Sequence, residues 1–424
     1  MKLTNIPCSL LTSLFFCGLV TAPARCTTIF QPGTDESAFE SGGFVNASQF
    51  VPVAMMSSSL HSVGDQAYNN GLQNSYELSS GGVTTHVLGT HQLLQRIKEL
   101  QALDYLHGLS KTDEFTKAIA VAAGDKVKSV VQIAKDPIGT VKNLPMGASR
   151  FFGSIGEGLK EAGHGNGSKA IENASGMSKA KARLAFKLGV SPYTDNQELQ
   201  EQLTNVAWAE AGGGLVLSAA STIVPGAAGT ALTAVGGNQI LQNQLIDTPP
   251  NQLRIMNRKK LFALGLDRDQ ADAFLMQPYY TPVNSTVIVD ALSRIGVSAE
   301  SFLKEAETAD NPEDAFYFQR LAQLLLQYQR TASPIASINV KDGLVCALDK
   351  NGTLVVPVSL DYAIWSERVS KRVEAFSSLL SLPNTKVKSL ALWTDGQLSP
   401  RLCDELGKRS ISYKSVDLEN LASK

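Results

Sequence analysis

Histidine is the side chain most able to move a proton near neutral pH, and this chain holds five, at His61, His86, His91, His107 and His164. All stand in the N-terminal half, so a histidine-dependent site has to be built there. His86 and His91 lie five apart across what reads as a strand-to-helix turn. That spacing suits two imidazoles near one metal or carboxylate, and equally suits solvated side chains at a turn. No HExxH and no paired CxxC occurs, so the spacing gives no metal site. No GxSxG elbow marks a serine nucleophile.

The acids offer a second place to look. Trp393-Thr394-Asp395-Gly396 ends an apolar run just ahead of Ser399-Pro400, which reads as a helix cap. A strand C-terminus facing a helix N-terminus is a common ligand position in α/β folds, which makes Trp393, Asp395 and Ser399 a candidate ligand site. Asp-Gly also serves turns for purely conformational reasons, and that reading stays open. Asp361 and Glu367 are further acids in the same region.

Two glycine-rich stretches, 153–158 and 163–169, lack the spacing of a phosphate-binding loop and follow no buried strand. No cofactor is expected. The net charge of −1 over 424 residues gives no global field for nucleic acid. Of the five cysteines, Cys346 and Cys403 either pair within one C-terminal domain or sit as two separately buried thiols.

The elements that must position these residues begin with an export pattern. Lys2, an uncharged run from Leu10 to Val20 and the small-residue exit Ala22-Pro23-Ala24 read as a signal peptide over 1–25. The run is too short to span a bilayer. Cleavage near Ala24 would give a periplasmic or secreted protein, membrane-associated at most. Residues 26–60, rich in Ser, Gly and Thr, read as a flexible tether. Alternation between 61 and 88, broken by Asn70-Gly71 and Gly81-Gly82, predicts a small β-hairpin or meander.

From Thr90 to about 330 the apolar spacing is helical, and caps are read at Thr90, Asp267, Asn284 or Ser285, Ser298 and Asn311. Between Lys111 and Lys187 thirteen Lys/Arg face seven Asp/Glu, a mild basic bias on short amphipathic helices. Ala211 to Ile246 carries no charge at all. Its Gly212, Gly213, Gly214, Gly229 and Gly236, with Pro225-Gly226 at the middle, suit a helical hairpin whose small residues allow close contact. That hairpin either meets a membrane or partner, or lies buried in a helical domain.

Residues 331–424 change character. Asp342-Gly343 and Asn351-Gly352 separate three strand-like runs. A helix from Asp361, a strand ending at Trp393, a short helix after Ser399 and a strand at 411–416 complete a small domain of order βββαβαβ. The fold class is therefore α+β: a mostly helical body at 61–330, a small N-terminal β-hairpin and a C-terminal α/β domain.

The segments Asp136-Pro137-Ile138-Gly139-Thr140-Val141-Lys142 with Pro145 and Arg150-Phe151-Phe152, Tyr279-Tyr280-Thr281-Pro282, Phe316 to Arg320, and Trp393-Thr394-Asp395-Gly396 with Ser399-Pro400 resemble a group of uncharacterised exported bacterial proteins. The resemblance covers most of the mature chain and implies a shared architecture in the bacterial envelope. It implies no activity and assigns no catalytic residue. The expectation is an exported protein with a structural or interaction role and an unidentified protein or membrane surface as partner. The alternatives are a periplasmic hydrolase acting on an envelope polymer or peptide, and a ligand-binding module at the C-terminus.

Overall fold

A computed structural model describes residues 38–117, 167–211, 239–383 and 385–418. The chain is a mixed α and β protein. Its first described elements are strands β1 (Gly43–Asn46), β2 (Ser62–Val63), β3 (Gln66–Asn69), β4 (Asn74–Ser80) and β5 (Val83–Leu88). They form one antiparallel sheet in which β4 pairs with β2, β3 and β5, and β1 extends it beside β3. Alternation puts Val45, Ala67, Tyr76 and Leu78 on the inner face, against Leu93 and Ile97 of the following helix.

Residues 43–60, read as tether, are part of this unit. Val45, Ala47 and Val51 are buried. Their apolar run is too short to show a period, and the burial comes from β3, which is distant from β1 in the local pattern.

The helices follow in order: α1 (Thr90–Ser110), α2 (Gly167–Leu188), α3 (Gln197–Ala211), α4 (Gln239–Asp247), α5 (Pro250–Ala263), α6 (Arg268–Leu275), α7 (Pro282–Ile295), α8 (Glu300–Ala306) and α9 (Pro312–Thr331). Leu103, Leu106, Leu184, Leu188, Leu203 and Val206 join α1, α2 and α3 in one core. Ile288, Leu292, Phe302, Leu321 and Leu325 build a second core around α7 to α9. Asp267 with Gln270, and Thr281 with Asn284, form reciprocal capping boxes, so the cap of α7 is Thr281 and the two later residues are inside the helix. Asn311 caps α9 by accepting from the Asp314 amide, with Pro312 at the first helical position. The helix read from Ser298 starts one residue later, with Ala299 as its cap residue.

The C-terminal part contains β6 (Ile335–Lys341), β7 (Leu344–Asp349), β8 (Thr353–Val358), β9 (Tyr362–Ala363), α10 (Glu367–Ser377), β10 (Ser389–Thr394), β11 (Gln397–Leu398), α11 (Pro400–Lys408) and β12 (Ile411–Ser415). The main sheet runs β12-β10-β8-β7-β6. β6, β7 and β8 are an antiparallel meander, whereas β8, β10 and β12 are parallel. Helices α10 and α11 supply the crossovers that parallel strands require. Asp342 and Gly343 have φ of 50° and 71°, the left-handed pair that a tight hairpin between β6 and β7 needs.

One face of this sheet packs on α9 through Val345, Ala347, Val355 and Trp393. The other packs on α10 and α11 through Leu354, Leu390, Phe376, Leu402 and Leu406. The helix expected from Asp361 begins only at Glu367, where Ser366 caps it. The chain after Asp361 first forms β9, which pairs with β11, and the Asp361 carboxylate turns to a different element.

Candidate functional site

Strands β8 and β10 end side by side, with Val358 opposite Thr394. Two acids follow them, Asp361 and Asp395. The close approach of the two strand ends requires glycine at 396, because a Cβ there would run into the backbone carbonyls of Leu360 and Asp361.

Asp395 is buried and fully engaged. Its Oδ2 accepts from Arg320 Nε at 2.8 Å and from Ser359 Oγ at 2.8 Å, and its Oδ1 from the Leu360 amide at 3.1 Å. Arg320 reaches it from α9, with both side chains only 6% exposed. The Arg320 guanidinium also lies 5.7 Å from the centroid of the Phe316 ring. Phe316 in turn stacks on His91, with centroids 4.0 Å apart and planes 13° from parallel. The first turn of α1 thereby meets α9.

Asp361 faces the N-terminal unit. Its Oδ2 accepts from the Asn74 amide at 2.8 Å, and its two oxygens accept from the Thr90 amide at 3.0 and 3.2 Å. Around it run further bonds. Asn74 Nδ2 donates to the Tyr76 hydroxyl at 3.0 Å, and that hydroxyl shares a 2.6 Å bond with Thr90 Oγ1. Asn69 Nδ2 donates to Asn74 Oδ1 and to the Tyr362 carbonyl. Burial pushes the Asp361 carboxyl up to about 6, against the pull of the two amides, and Asp395 adds a small repulsion. Burial raises the Tyr317 hydroxyl to about 12, with Asp395 contributing.

Chemically, this is a buried carboxyl raised to about 6, bonded to the amide of Thr90 next to His91 in sequence, with a second carboxylate nearby that is paired with Arg320. Each carboxyl already has donors on its oxygens. The arrangement joins β4, α1, α9 and the two strand ends.

The three residues read as a ligand site do different jobs. Trp393 is buried against Tyr328, with centroids 4.9 Å apart, and Lys414 Nζ lies 4.7 Å from its ring. Ser399 caps α11, accepting from the Leu402 amide at 3.1 Å, and donates to Glu40 Oε2 at 2.6 Å. Only Asp395 belongs to the cluster at the strand ends. Glu367 is exposed and paired with Lys371. His86 is exposed on β5 opposite Glu77, so it is not brought to His91. Among the described residues no three His, Cys, Asp or Glu gather as ligands for a metal.

Cys346 and Cys403 do not pair. Cys346 is a free thiol, whereas Cys403 is disulfide-bonded. Both contribute to the same apolar layer, but from β7 and α11, which are not neighbours in the sheet or in sequence. Burial raises the Cys346 thiol to about 11, leaving it a small apolar core residue.

Gly212, Gly213, Gly214, Pro225, Gly226, Gly229 and Gly236 lie outside the described residues, as do the signal pattern and the helices read between 118 and 166. The residue run before the charge-free stretch and the end of the stretch from 239 are described. Trp208, on α3, is 43% exposed, and Ile240, on α4, is 76% exposed. No helix among the described residues is long and apolar enough to cross a membrane.

Sequence reasoning missed three of these features. The pairing of Asp361 with Thr90 had no local signal. Arg320 had one, a cation on a helix face otherwise built from Leu321, Leu324 and Leu325. Trp208 had another, an aromatic at the border of the charge-free run. Comparisons with family models, with curated proteins and with solved structures give no match for this chain.

Proposed function

We propose that this chain is an exported protein of the bacterial envelope with a structural or interaction role, acting at an apolar surface through the Gly/Ala-rich stretch 211–246. The surface to which the reading commits is the membrane. The observation that carries it is the exposure of Trp208, three residues before that stretch, and of Ile240 within its last turns. Indole at such a border is the side chain expected at a membrane–water interface. The basic bias of 111–187 favours an anionic surface.

The proposed architecture is a mostly helical body carrying an N-terminal β unit and a C-terminal domain of order βββαβαβ, with β9 and β11 as short additions. Export rests on the pattern at 1–25, and the envelope setting on the resemblance to exported bacterial proteins. Flotation of the mature protein with anionic vesicles, with and without 212–238, tests the reading. Co-flotation that depends on the segment is the expected result. A protein that stays at the bottom at low salt in both forms removes the membrane role and leaves a partner protein or a second copy as the contact.

One observation favours a second reading, hydrolysis of an envelope polymer or peptide. Asp361 and Asp395 follow the ends of β8 and β10, Asp361 is raised to about 6, and His91 stacks on Phe316 of the helix that supplies Arg320 to Asp395. Activity on peptidoglycan fragments that is lost in Asp361→Asn and His91→Ala while the fold is kept would favour it. The engagement of both carboxylates by backbone amides, arginine and serine supports the structural reading of the cluster instead.

A further inference from the structure

Helix α5 turns one side to the core. Leu253 packs with Leu241, Leu245, Val283 and Val287, and Leu261 joins the core around α7 to α9. Asn257, between them, donates from Nδ2 to Thr286 Oγ1 at 2.9 Å. At about 100° per residue the opposite side carries Ile255, Lys259 and Phe262, with Met256 beside them. Ile255, Met256 and Phe262 are 50%, 38% and 44% exposed, and Lys259 is exposed among them.

The helix carries charge of one sign. Residues 250–263 hold four cations, Arg254, Arg258, Lys259 and Lys260, and no acid. The acids that neighbouring helices offer are each shared by two cations: Asp272 by Arg258 and Arg268, and Asp290 by Lys260 and Arg294. Asp267 and Asp269 stand past the end of α5, at the start of α6.

We propose that the exposed face of α5 is a contact for anionic phospholipid, with Ile255, Met256 and Phe262 entering the acyl boundary and Lys259 meeting the headgroups. The order of groups is that of an interfacial helix. Apolar tips lie along one ridge, and long cationic side chains beside them reach back to headgroup level. A protein helix as occupant would call for a groove between two elements, whereas these side chains stand on the ridge of one. The inference rests on the membrane reading above for the class of surface, and it adds a second contact to the stretch 211–246. One weak membrane signal gives only marginal attachment, and two together hold.

Partitioning of the mature protein at low salt tests this, onto vesicles containing phosphatidylglycerol and onto vesicles of phosphatidylcholine alone. Ile255→Ser combined with Phe262→Ser should weaken binding to the anionic vesicles by about tenfold or more. Lys259→Glu should weaken it by about tenfold only where phosphatidylglycerol is present. Val83→Ser, which removes an exposed apolar side chain from β5, should change nothing. Thermal melting checks that each variant keeps the fold. In a Trp208→Phe background, Phe262→Trp should shift its emission to the blue on the anionic vesicles. Unchanged partitioning of both α5 variants overturns the proposal, and loss of binding on deletion of 212–238 in the same assay then leaves the reading of that stretch standing. Loss in the α5 variants with binding kept after that deletion supports the α5 contact and defeats the reading of the stretch. An unaltered protein that binds neither kind of vesicle overturns both, and makes an acidic protein partner the occupant of α5.

Discussion

Asp361 caps the helix that starts at Thr90, accepting the Thr90 amide at 3.0 and 3.2 Å from a position 271 residues further along the chain. The cap residue of that helix is Gly89, which has no side chain to satisfy the first amides. The carboxylate also complements the positive end of the helix. One side chain thus fastens the N-terminal β unit to the C-terminal sheet.

Stability should depend on pH through Asp361. Its folded value is raised from 3.8 to about 6, so the folded state holds the proton more tightly than the unfolded state. The contribution is therefore favourable below the unfolded value and lost as pH rises through about 6, by up to about 3 kcal/mol at roughly 1.4 kcal/mol per unit. Urea denaturation across that window should show this slope in the native protein and a flatter one in Asp361→Asn. Identical slopes would contradict the role given to Asp361.

Arg320→Met should destabilise the fold by about 3–5 kcal/mol, because it leaves Asp395 buried without its counter-charge. A double variant, Arg320→Met with Asp395→Leu, should recover part of that loss. Equilibrium denaturation in urea reads both.

Gly396→Ala should lower the melting temperature even though it adds one methyl group. The new Cβ meets the carbonyls of Leu360 and Asp361, which are backbone and cannot swing aside. Overpacking of this kind costs about 1–3 kcal/mol. Calorimetry on the variant checks it, with Gly407→Ala as the control, since a Cβ at 407 meets nothing.

Much of this architecture was legible in the residues. Asp342-Gly343 and Asn351-Gly352 mark hairpins because few residues tolerate the left-handed backbone found there. Asp267, Asn311 and Ser399 mark helix starts because their side chains reach an amide three residues on. What was not legible depends on partners distant in sequence. The cap of α1 is supplied by Asp361, the Arg320 charge is met by Asp395, and β1 gains its burial from β3. Whether Cys346 and Cys403 pair stayed open for the same reason, since composition cannot say which cysteines face each other.

Trp208 stands just before the charge-free stretch, and the chain's own tryptophans can report whether it meets a membrane. Trp365 and Trp393 are buried at 3% and 5% exposure, so a change in emission on adding vesicles comes chiefly from Trp208. Emission of the mature protein should shift to the blue on titration with anionic vesicles at low salt, and the shift should vanish in Trp208→Phe. An unchanged spectrum at saturating lipid would contradict the account.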